Sequence, residues 1–301
     1  MSAPLIIICG ATATGKSDLA LDLAQSIDAE IINADSMQLY RGMDIGTAKL
    51  TLDERRGIPH HLLDILDVTQ SASVADYQMR ARTAVDEIRS RGKAAIIVGG
   101  TGLYIKSIID EMNFPETDPQ IRTRLESEAE LLGTAALYSR LQDLDPEAAT
   151  AIEPANTRRI IRALEVIEST GEPYSANLPS DTSLLYPDAH HFGLSMERSA
   201  LAPRIDRRVD LMWERGLIDE VEELIGKGLL EGITAQRAIG YAQVIAMRNG
   251  AINDEQARES TKVATRQYVR RQETWFKRDS RIQWIDSQDL ALETIHQAIN
   301  S

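Results

Sequence analysis

The first third of the chain alternates short, uninterrupted apolar runs with stretches of helical periodicity. Branched apolar residues in unbroken runs are typical of strands buried on both faces, and helices between such strands indicate a parallel sheet. Two later runs have the same character. The runs are PLIIIC, EIINAD and KAAIIVGG in the first third, followed later by HHFGLSM and RIQWID. The pattern predicts an α/β fold whose parallel sheet is flanked by helices.

A block of helical periodicity interrupts this pattern between residues 118 and 188. It predicts roughly three amphipathic helices, separated by proline and glycine. The simplest interpretation is an all-helical insertion domain at 118–188 within an α/β core formed by residues 1–117 and 189–301.

Other helices are predicted in the core. Ser73 followed by Asp76 forms a capping box that opens a helix through about Arg91. After the insertion, long helical patterns lie near 203–228 and 255–279.

The string GATATGKS follows the first apolar run and precedes a helical pattern, which is the context that a phosphate-binding loop requires. In such a loop, backbone N–H groups surround phosphate oxygens and the helix N-terminus adds partial positive charge. We expect Lys16 to contact the terminal phosphates and Ser17 to help hold Mg²⁺. The candidate ligands of the phosphates are Gly10, Ala11, Thr12, Ala13, Thr14, Gly15, Lys16 and Ser17. The motif predicts phosphate or diphosphate binding without deciding the reaction.

Polar residues follow two further predicted strands. Asp35 is the last residue of EIINAD, at the end of the second predicted strand. GGTGLY at 99–104 follows the third strand. In open α/β sheets, ligands bind at the carboxyl edge, where these residues would meet the phosphate loop. A carboxylate there can bind metal or act as a general base, and Thr101 offers a hydroxyl. The polar, aperiodic stretch DSMQLYRGMDIGTAK predicts a binding loop.

The distribution of charge along the chain says more about possible binding partners than the net charge does. The formal net charge of −13 argues by itself against nucleic-acid binding. Residues 262–281, however, hold seven Lys or Arg against two acidic residues. In the insertion, a basic stripe of Arg158, Arg159 and Arg162 is either an ordinary solvated face or a phosphate-contacting surface.

Aromatic residues lie among the C-terminal arginines in TRQYVRRQETWFKR. Tyr268, Trp275 and Phe276 suit stacking on unpaired RNA bases, and burial of these aromatics in the core is the alternative interpretation.

Several other functions are disfavoured. No apolar run approaches the roughly 20 residues that span a bilayer, so we expect no membrane association. Cys9 is the single cysteine, which excludes an intramolecular disulfide, fits a reducing cytoplasm and predicts a small buried hydrophobe. The adjacent His60 and His61 have no further ligand at metal spacing nearby, so we do not expect zinc.

Considered together, several segments resemble, in order, those of the tRNA dimethylallyltransferases, and they extend over essentially the whole chain. They are GATATGKS, DSMQLYRGMDIGTAK, IPHHLLDI, GGTGLY, RRIIRALEV, AIGYAQ and TRQYVRRQETWFKR. The resemblance implies a core like that of the P-loop NTPases. It also implies transfer of a dimethylallyl group from its diphosphate to the exocyclic amine of the adenosine immediately 3′ of the anticodon, in tRNAs that read codons beginning with U.

The resemblance assigns roles to individual residues. The phosphate loop would hold the donor's diphosphate, while Lys16 and Mg²⁺ at Ser17 stabilise negative charge on the leaving group. Asp35 would accept the amine proton and Thr101 would help place the reactants. Arg208 is the candidate for a further diphosphate contact, with Arg207 as an alternative that the spacing leaves open.

RNA recognition is also implied, because the adenine must leave the stack of the anticodon loop before it can react. Asp35 and Thr101 would contact this base together with Ser36, Met37 and Gln38. The insertion would grip the anticodon stem-loop through Arg124 and the stripe Arg158, Arg159 and Arg162. We expect a monomeric, cytoplasmic enzyme that uses tRNA, dimethylallyl diphosphate and Mg²⁺.

Other interpretations remain open on the pattern alone. A P-loop kinase of a small molecule or nucleoside would share the phosphate loop and Mg²⁺. An ATP-switched RNA-binding module and an enzyme that prenylates free adenine nucleotides are further alternatives. The sequence does not decide which tRNAs are substrates or whether ATP is bound.

Overall fold

A computed structural model describes residues 3–177, 184–286 and 288–300 of the chain. It divides into two compact units, one formed by Met1–Ile109 with Tyr186–Ser301 and the other by Asp110–Leu185. We call these the core unit and the insertion unit. Their boundaries fall a few residues before those expected at 118 and 188.

The described residues of the core unit form one parallel sheet with the strand order β3-β2-β4-β1-β5-β6. The strands are β1 (Leu5–Gly10), β2 (Ala29–Asn33), β3 (His60–His61), β4 (Ala94–Gly99), β5 (His190–Leu194) and β6 (Gln283–Ile285). The predicted parallel α/β fold is confirmed, and five of these strands lie at the predicted apolar runs. The pattern did not predict the two-residue strand β3.

The unbroken apolar runs have a simple cause, since both faces of the sheet are covered. Along β1, Ile7 and Cys9 pack into one core cluster, whereas Ile6 and Ile8 pack into another on the opposite face. Successive side chains of a strand point to opposite faces, so a strand covered on both sides needs apolar residues at every position. Cys9 is 1% exposed, as expected for a small buried hydrophobe.

Helices cover both faces before the insertion. Ser73 is the N-cap of one of them, because its hydroxyl accepts from the Asp76 N–H at 3.4 Å, which confirms the predicted start of this helix. These helices are α1 (Lys16–Ile27), α2 (Val74–Ser90) and α3 (Gly102–Ile109).

The insertion unit is helical within its described residues. Its helices are α4 (Pro119–Leu132), α5 (Thr134–Leu144), α6 (Pro146–Ala151) and α7 (Thr157–Thr170). Three of them begin at an Asp or Asn whose side chain accepts a backbone N–H, namely Asp118, Asp145 and Asn156. The unit has its own apolar core, which includes Leu125, Leu137, Leu141, Ile160 and Leu164.

Among the described residues of the core unit, five α-helices follow the insertion. They are α8 (Arg198–Glu214), α9 (Leu217–Gly226), α10 (Tyr241–Arg248), α11 (Asp254–Phe276) and α12 (Gln288–Ile299). The prediction of one long helix near 203–228 is wrong, because Gly216 takes a left-handed conformation (φ 92°) that separates α8 from α9. The long helix expected near 255–279 is confirmed as α11.

The core of the insertion unit generates a stability prediction. Leu164→Ala should destabilise this unit by about 2–5 kcal/mol, because truncating a buried leucine leaves a cavity. Leu164 is 0% exposed, whereas Leu132 of the same unit is 61% exposed. Leu132→Ala is therefore the matched control and should change the free energy of unfolding by less than about 0.5 kcal/mol. Urea unfolding followed by circular dichroism compares the two, and equal effects would contradict this core.

Candidate active site

The phosphate loop connects β1 to α1, and its glycines stand where other residues do not fit. Gly10 has a φ of 134°, and a Cβ there would lie 2.6 Å from the Leu194 carbonyl oxygen. Gly15, at the start of α1, has a φ of 92°. Both positions favour glycine, because L side chains strain a backbone with positive φ. The loop is thereby held tightly against the end of the sheet.

Lys16 is a buried cation on this loop. It is 9% exposed, and its ammonium group donates to the carbonyl oxygen of Ala11. Burial and the nearby positive charge of Arg208 lower the pKa of Lys16 to about 8. A buried ammonium group whose hydrogen-bond partner is a neutral carbonyl is well suited to attract an anion.

A cavity of about 610 Å³ opens at the carboxyl edge of the sheet, entirely within the core unit. Asp35 lines it on one side, and α8 contributes arginines on another. Its polar and charged lining includes Thr12, Lys16, Ser17, Asp18, Asp35, Gln38, Lys49, Arg204, Arg207, Arg208, Arg215 and Gln272. The convergence of several cations with the carboxylate of Asp35 suits a polyanionic ligand that reacts beside a base.

Arg207 and Arg208 both line the cavity but differ in their surroundings. Arg207 is exposed and forms an ion pair with Glu214 at 3.1 Å. Arg208 is half-buried and donates to the Thr47 carbonyl at 3.2 Å. Burial lowers the pKa of Arg208, and the negative charge of Asp35 opposes that effect. Arg208 is therefore the arginine whose charge is felt by both Lys16 and Asp35.

The orientation of Asp35 is fixed by its own segment. The side chain of Asn33 brackets it, accepting from the Asp35 N–H at 2.9 Å and donating to its carbonyl at 3.0 Å. One carboxylate oxygen of Asp35, Oδ1, accepts from the Met37 N–H at 2.9 Å. This short-range turn holds the carboxylate in place at the cavity wall.

Thr101 joins the end of β4 to the segment that follows β2. Its N–H donates to the Ala34 carbonyl at 3.1 Å, and its hydroxyl accepts from the Ser36 N–H at 3.2 Å. A Cβ at Gly99 would lie 2.2 Å from the Ala34 carbonyl oxygen, so glycine is required for this approach. The structure thus places Thr101 next to Asp35, at the edge where the sequence predicted both.

Lys49 is a buried cation that the sequence analysis did not assign. Its ammonium group donates to the Tyr40 carbonyl at 2.8 Å and forms ion pairs at 2.6 Å with both Asp44 and Asp64. Three partners satisfy all three donors of the ammonium group. Lys49 therefore fixes the long loop between β2 and β3, which includes the base-side candidates Met37 and Gln38.

Glu220 supports the same loop from α9. Its carboxylate accepts the N–H groups of Asp44, Ile45 and Gly46 at 3.1, 2.7 and 3.2 Å. It also accepts the Tyr241 hydroxyl at 2.5 Å. The segment AIGYAQ was part of the family resemblance, but only the structure shows that its tyrosine acts here.

The N-terminal cations of the basic segment 262–281 pair with acidic residues of α8. Lys262 and Arg266 form ion pairs with Asp210 and Asp206 of α8, at 2.8 and 2.5 Å. These cations hold α11 against α8 and are neutralised there. The C-terminal half of α11 carries Arg270 and Arg271, and Lys277 and Arg278 directly follow the helix.

The aromatic residues of α11 also divide. Phe276 is buried in the core at 3% exposure, whereas Trp275 is 43% exposed. The guanidinium of Arg271 lies 5.6 Å from the centre of the Tyr268 ring. Burial in the core is therefore confirmed for Phe276, and stacking on RNA bases stays a prediction for the partly exposed Trp275.

The predicted arginines of the insertion unit differ in their contacts. Arg162 pairs with the fully buried Glu165 at 3.0 Å and donates to the Pro115 carbonyl at 2.7 Å, which are structural contacts. Arg124 pairs with Glu128 at 3.4 Å and also with Glu168. Arg158 and Arg159 are exposed on α7. Among the residues that the structure describes, no ion pair is found for either of them.

The donor set for a divalent cation is small. Across the described parts of the chain, no group of three or more His, Cys, Asp or Glu side chains could hold a metal ion. Mg²⁺ in phosphate sites is commonly held by one or two protein oxygens, with phosphate oxygens and water completing the shell. Ser17 and Asp18 line the cavity beside Lys16 and fit this mode.

The two neighbouring histidines have separate partners. His60 contacts the Ile58 carbonyl at 2.8 Å, and His61 pairs with Glu30 at 2.8 Å.

Within the described residues, no helix is long and apolar enough to span a membrane.

Comparison with known proteins places this chain in a family. The family model of the IPP transferases matches residues 38–279. A tRNA dimethylallyltransferase of Streptomyces griseus is 54% identical over 94% of this chain and 91% of its own length. One of Thermobifida fusca is 54% identical over 95% of this chain and 91% of its own.

Solved structures give the same result. A tRNA isopentenylpyrophosphate transferase from Bacillus halodurans has a TM-score of 0.72 and 41% identity, covering 99% of this chain and 95% of that one. A eukaryotic dimethylallyltransferase acting on tRNA has a TM-score of 0.82 and 29% identity, covering 98% of this chain and 78% of that one. The expected P-loop-like α/β core is confirmed. On these sequence and structural grounds, the chain belongs to the IPP transferase family.

Proposed function

We propose that this chain transfers a dimethylallyl group from dimethylallyl diphosphate to the exocyclic amine of the adenosine 3′ of the anticodon in tRNAs that read codons beginning with U. Family membership supports the enzyme class. The observation that carries the site assignment is the cavity that Asp35 lines together with the phosphate loop, Lys16 and Arg208. It provides a cationic site for a diphosphate and a carboxylate base for an amine.

The reaction needs charge stabilisation on one side of the transferred carbon and a proton acceptor on the other. The allylic C–O bond breaks and its electron pair leaves with the diphosphate, while the adenine nitrogen forms the new C–N bond. Lys16, Arg208 and the N-terminus of α1 stabilise the growing negative charge. Mg²⁺ held at Ser17 would supply further charge neutralisation. Asp35 accepts the proton that the amine loses.

The acceptor base is placed by the segment after β2. Ser36, Met37 and Gln38 follow Asp35 and are partly exposed, and Thr101 lies beside them. The Gln38 amide donates to the Thr47 carbonyl at 3.2 Å, the same carbonyl that accepts from Arg208. This shared carbonyl connects the base side of the site to the diphosphate side.

The insertion unit grips the anticodon stem-loop in this proposal. Arg158 and Arg159 provide the first phosphate contacts, because they are exposed and their charges are not committed to the ion pairs found in the unit. Arg124 is half-exposed and would contact RNA by exchanging a glutamate partner for a phosphate. Arg162 has a structural role, since it forms an ion pair with the buried Glu165.

The proposal predicts that Asp35→Asn lowers kcat by about 10²- to 10⁴-fold, because the amide cannot accept the amine proton. Its Oδ1 still accepts from the Met37 N–H, so the fold of the segment is kept. Transfer of labelled dimethylallyl to an anticodon stem-loop without ATP measures kcat, and equilibrium binding of a thiodiphosphate analogue checks that the donor site is intact.

Asp53→Asn is the matched control, since Asp53 is exposed on the surface. A kcat for Asp35→Asn within a factor of about three of the wild-type value would exclude Asp35 as the base.

The lowered pKa of Lys16 predicts a basic limb in the pH profile. Lys16 is charged below a pKa of about 8 in the free enzyme and loses its charge above it. The kcat/KM for the donor should therefore fall as the pH rises through about 8, because kcat/KM reports groups of the free enzyme. Lys16→Arg should move this limb to higher pH, since a guanidinium stays charged. A profile that is flat between pH 7 and about 9 would contradict the role of Lys16.

Arg158→Ala and Arg159→Ala should each raise the KM for the RNA and leave kcat nearly unchanged. Each loss of a phosphate contact should also reduce the slope of log K against log salt by about one. Arg248→Ala is the control, because Arg248 pairs with Glu222 on the surface of the core unit at 3.1 Å. Equal effects of all three variants would remove α7 from the RNA-binding surface.

A further inference from the structure

Gln272 is a buried side chain of α11 that reaches the phosphate loop. It is 4% exposed. Its amide oxygen accepts from the Thr12 N–H at 2.9 Å, and its amide nitrogen donates to the Gly100 carbonyl at 2.9 Å. One side chain thus joins the loop after β1 to the loop after β4. Because one bond needs an acceptor and the other a donor, the amide has a single orientation.

The backbone is shaped to admit this amide. A Cβ at Gly100 would lie 2.1 Å from the Gln272 amide nitrogen, which is far inside van der Waals contact. Glycine at position 100 is therefore needed for Gln272 to reach between the loops. Gly100 does not have a positive φ, so the glycine is necessary because of the limited space and not because of the backbone conformation.

The connection continues to the segment that carries Asp35. Tyr268 lies one helical turn before Gln272, and the side chains of Thr101 and Gln272 lie near enough to affect the pKa of its hydroxyl. Burial raises the pKa of Tyr268 to about 12, so the hydroxyl keeps its proton at neutral pH. Thr101 in turn accepts from the Ser36 N–H. Gln272 therefore joins Thr12 to Gly100, and Thr101, the neighbour of Gly100, bonds to the residue after Asp35.

We infer that Gln272 is a positioning residue that sets the distance between the diphosphate loop and the segment of Asp35, with Tyr268 as its support on the base side. The inference rests on the proposed function. Two reactants bound to separate loops react well only when their atoms are held about 3–3.5 Å apart, and an error of about 1 Å can reduce the rate about 100-fold. Gln272 bonds to the phosphate loop at Thr12 and to Gly100, whose neighbour Thr101 bonds to the segment of Asp35.

The variant Gln272→Met tests this by removing both hydrogen bonds while keeping a side chain of similar length. We expect kcat to fall about 10- to 100-fold because the reactants lose their relative placement. The KM for the RNA should change less than about threefold, because α7 is unaffected. Affinity for inorganic diphosphate, measured by calorimetry, should fall about tenfold because Thr12 and its loop lose their brace.

Gln78→Met is the matched control. Gln78 of α2 also donates its amide to a carbonyl of another helix, that of Ser107 at 2.9 Å, but it does not line the cavity. It should leave kcat and diphosphate affinity within about twofold of wild type, with a comparable change in thermal stability. Unchanged kcat and unchanged diphosphate affinity in Gln272→Met would overturn the inference, as would equal losses in both variants.

Gly100→Ala disrupts the same contact from the backbone side. It provides a second test in case Gln272→Met does not fold. It should reproduce the loss in kcat, because the new methyl group displaces the Gln272 amide. Combined with Gln272→Ala, it should add little further loss, since the two changes break one connection. Independent, multiplicative losses would contradict that connection.

The two proposals fail in different ways. A wild-type protein that binds diphosphate but transfers no prenyl group to RNA would overturn the proposed function. The diphosphate affinities of Gln272→Met and Gln78→Met would still decide whether Gln272 braces the phosphate loop. A wild-type protein that transfers the group normally, with Gln272→Met equally active and equally able to bind diphosphate, would overturn this inference alone.

Discussion

The pairing of β4 with both β1 and β2 is the constraint on which the site depends. It brings three loops to one edge, where glycines allow two close backbone approaches and leave room for one side chain. Gly10 lies against Leu194, Gly99 against Ala34, and Gly100 against Gln272. A larger residue at any of these places would separate groups that must act together on one ligand. The chemistry of the site therefore depends first on backbone packing.

Helix α8 shows how an acidic chain builds a cationic site. Its Arg208 faces the cavity, where its charge reaches Lys16 and Asp35. Its acidic residues Asp206 and Asp210 instead bind cations of α11. These ion pairs hold α11 in the position from which Gln272 reaches the phosphate loop. The net charge of −13 says little about this site, because opposite charges on one helix serve different neighbours.

The sequence predicted what local rules control. The strands, the cap at Ser73, the phosphate loop and the position of Asp35 all follow from periodicity and short motifs, and the structure agrees. The break at Gly216 was missed because helical periodicity continues on both sides of it, and β3 is too short to give a pattern. The roles of Lys49, Glu220 and Gln272 depend on partners that only the folded chain brings near. Arg162 was assigned to a basic surface because nothing in the sequence indicates that Glu165 is buried and pairs with it.

We propose that the phosphate loop holds a diphosphate that leaves intact, with no phosphoryl transfer. A donor labelled with ¹⁴C in the dimethylallyl group and ³²P in the diphosphate tests this directly. After incubation with an anticodon stem-loop and Mg²⁺, the account predicts that carbon label enters the RNA in one-to-one proportion with diphosphate released to solution. Phosphorus label in the RNA, or release of the diphosphate without carbon transfer, would contradict it.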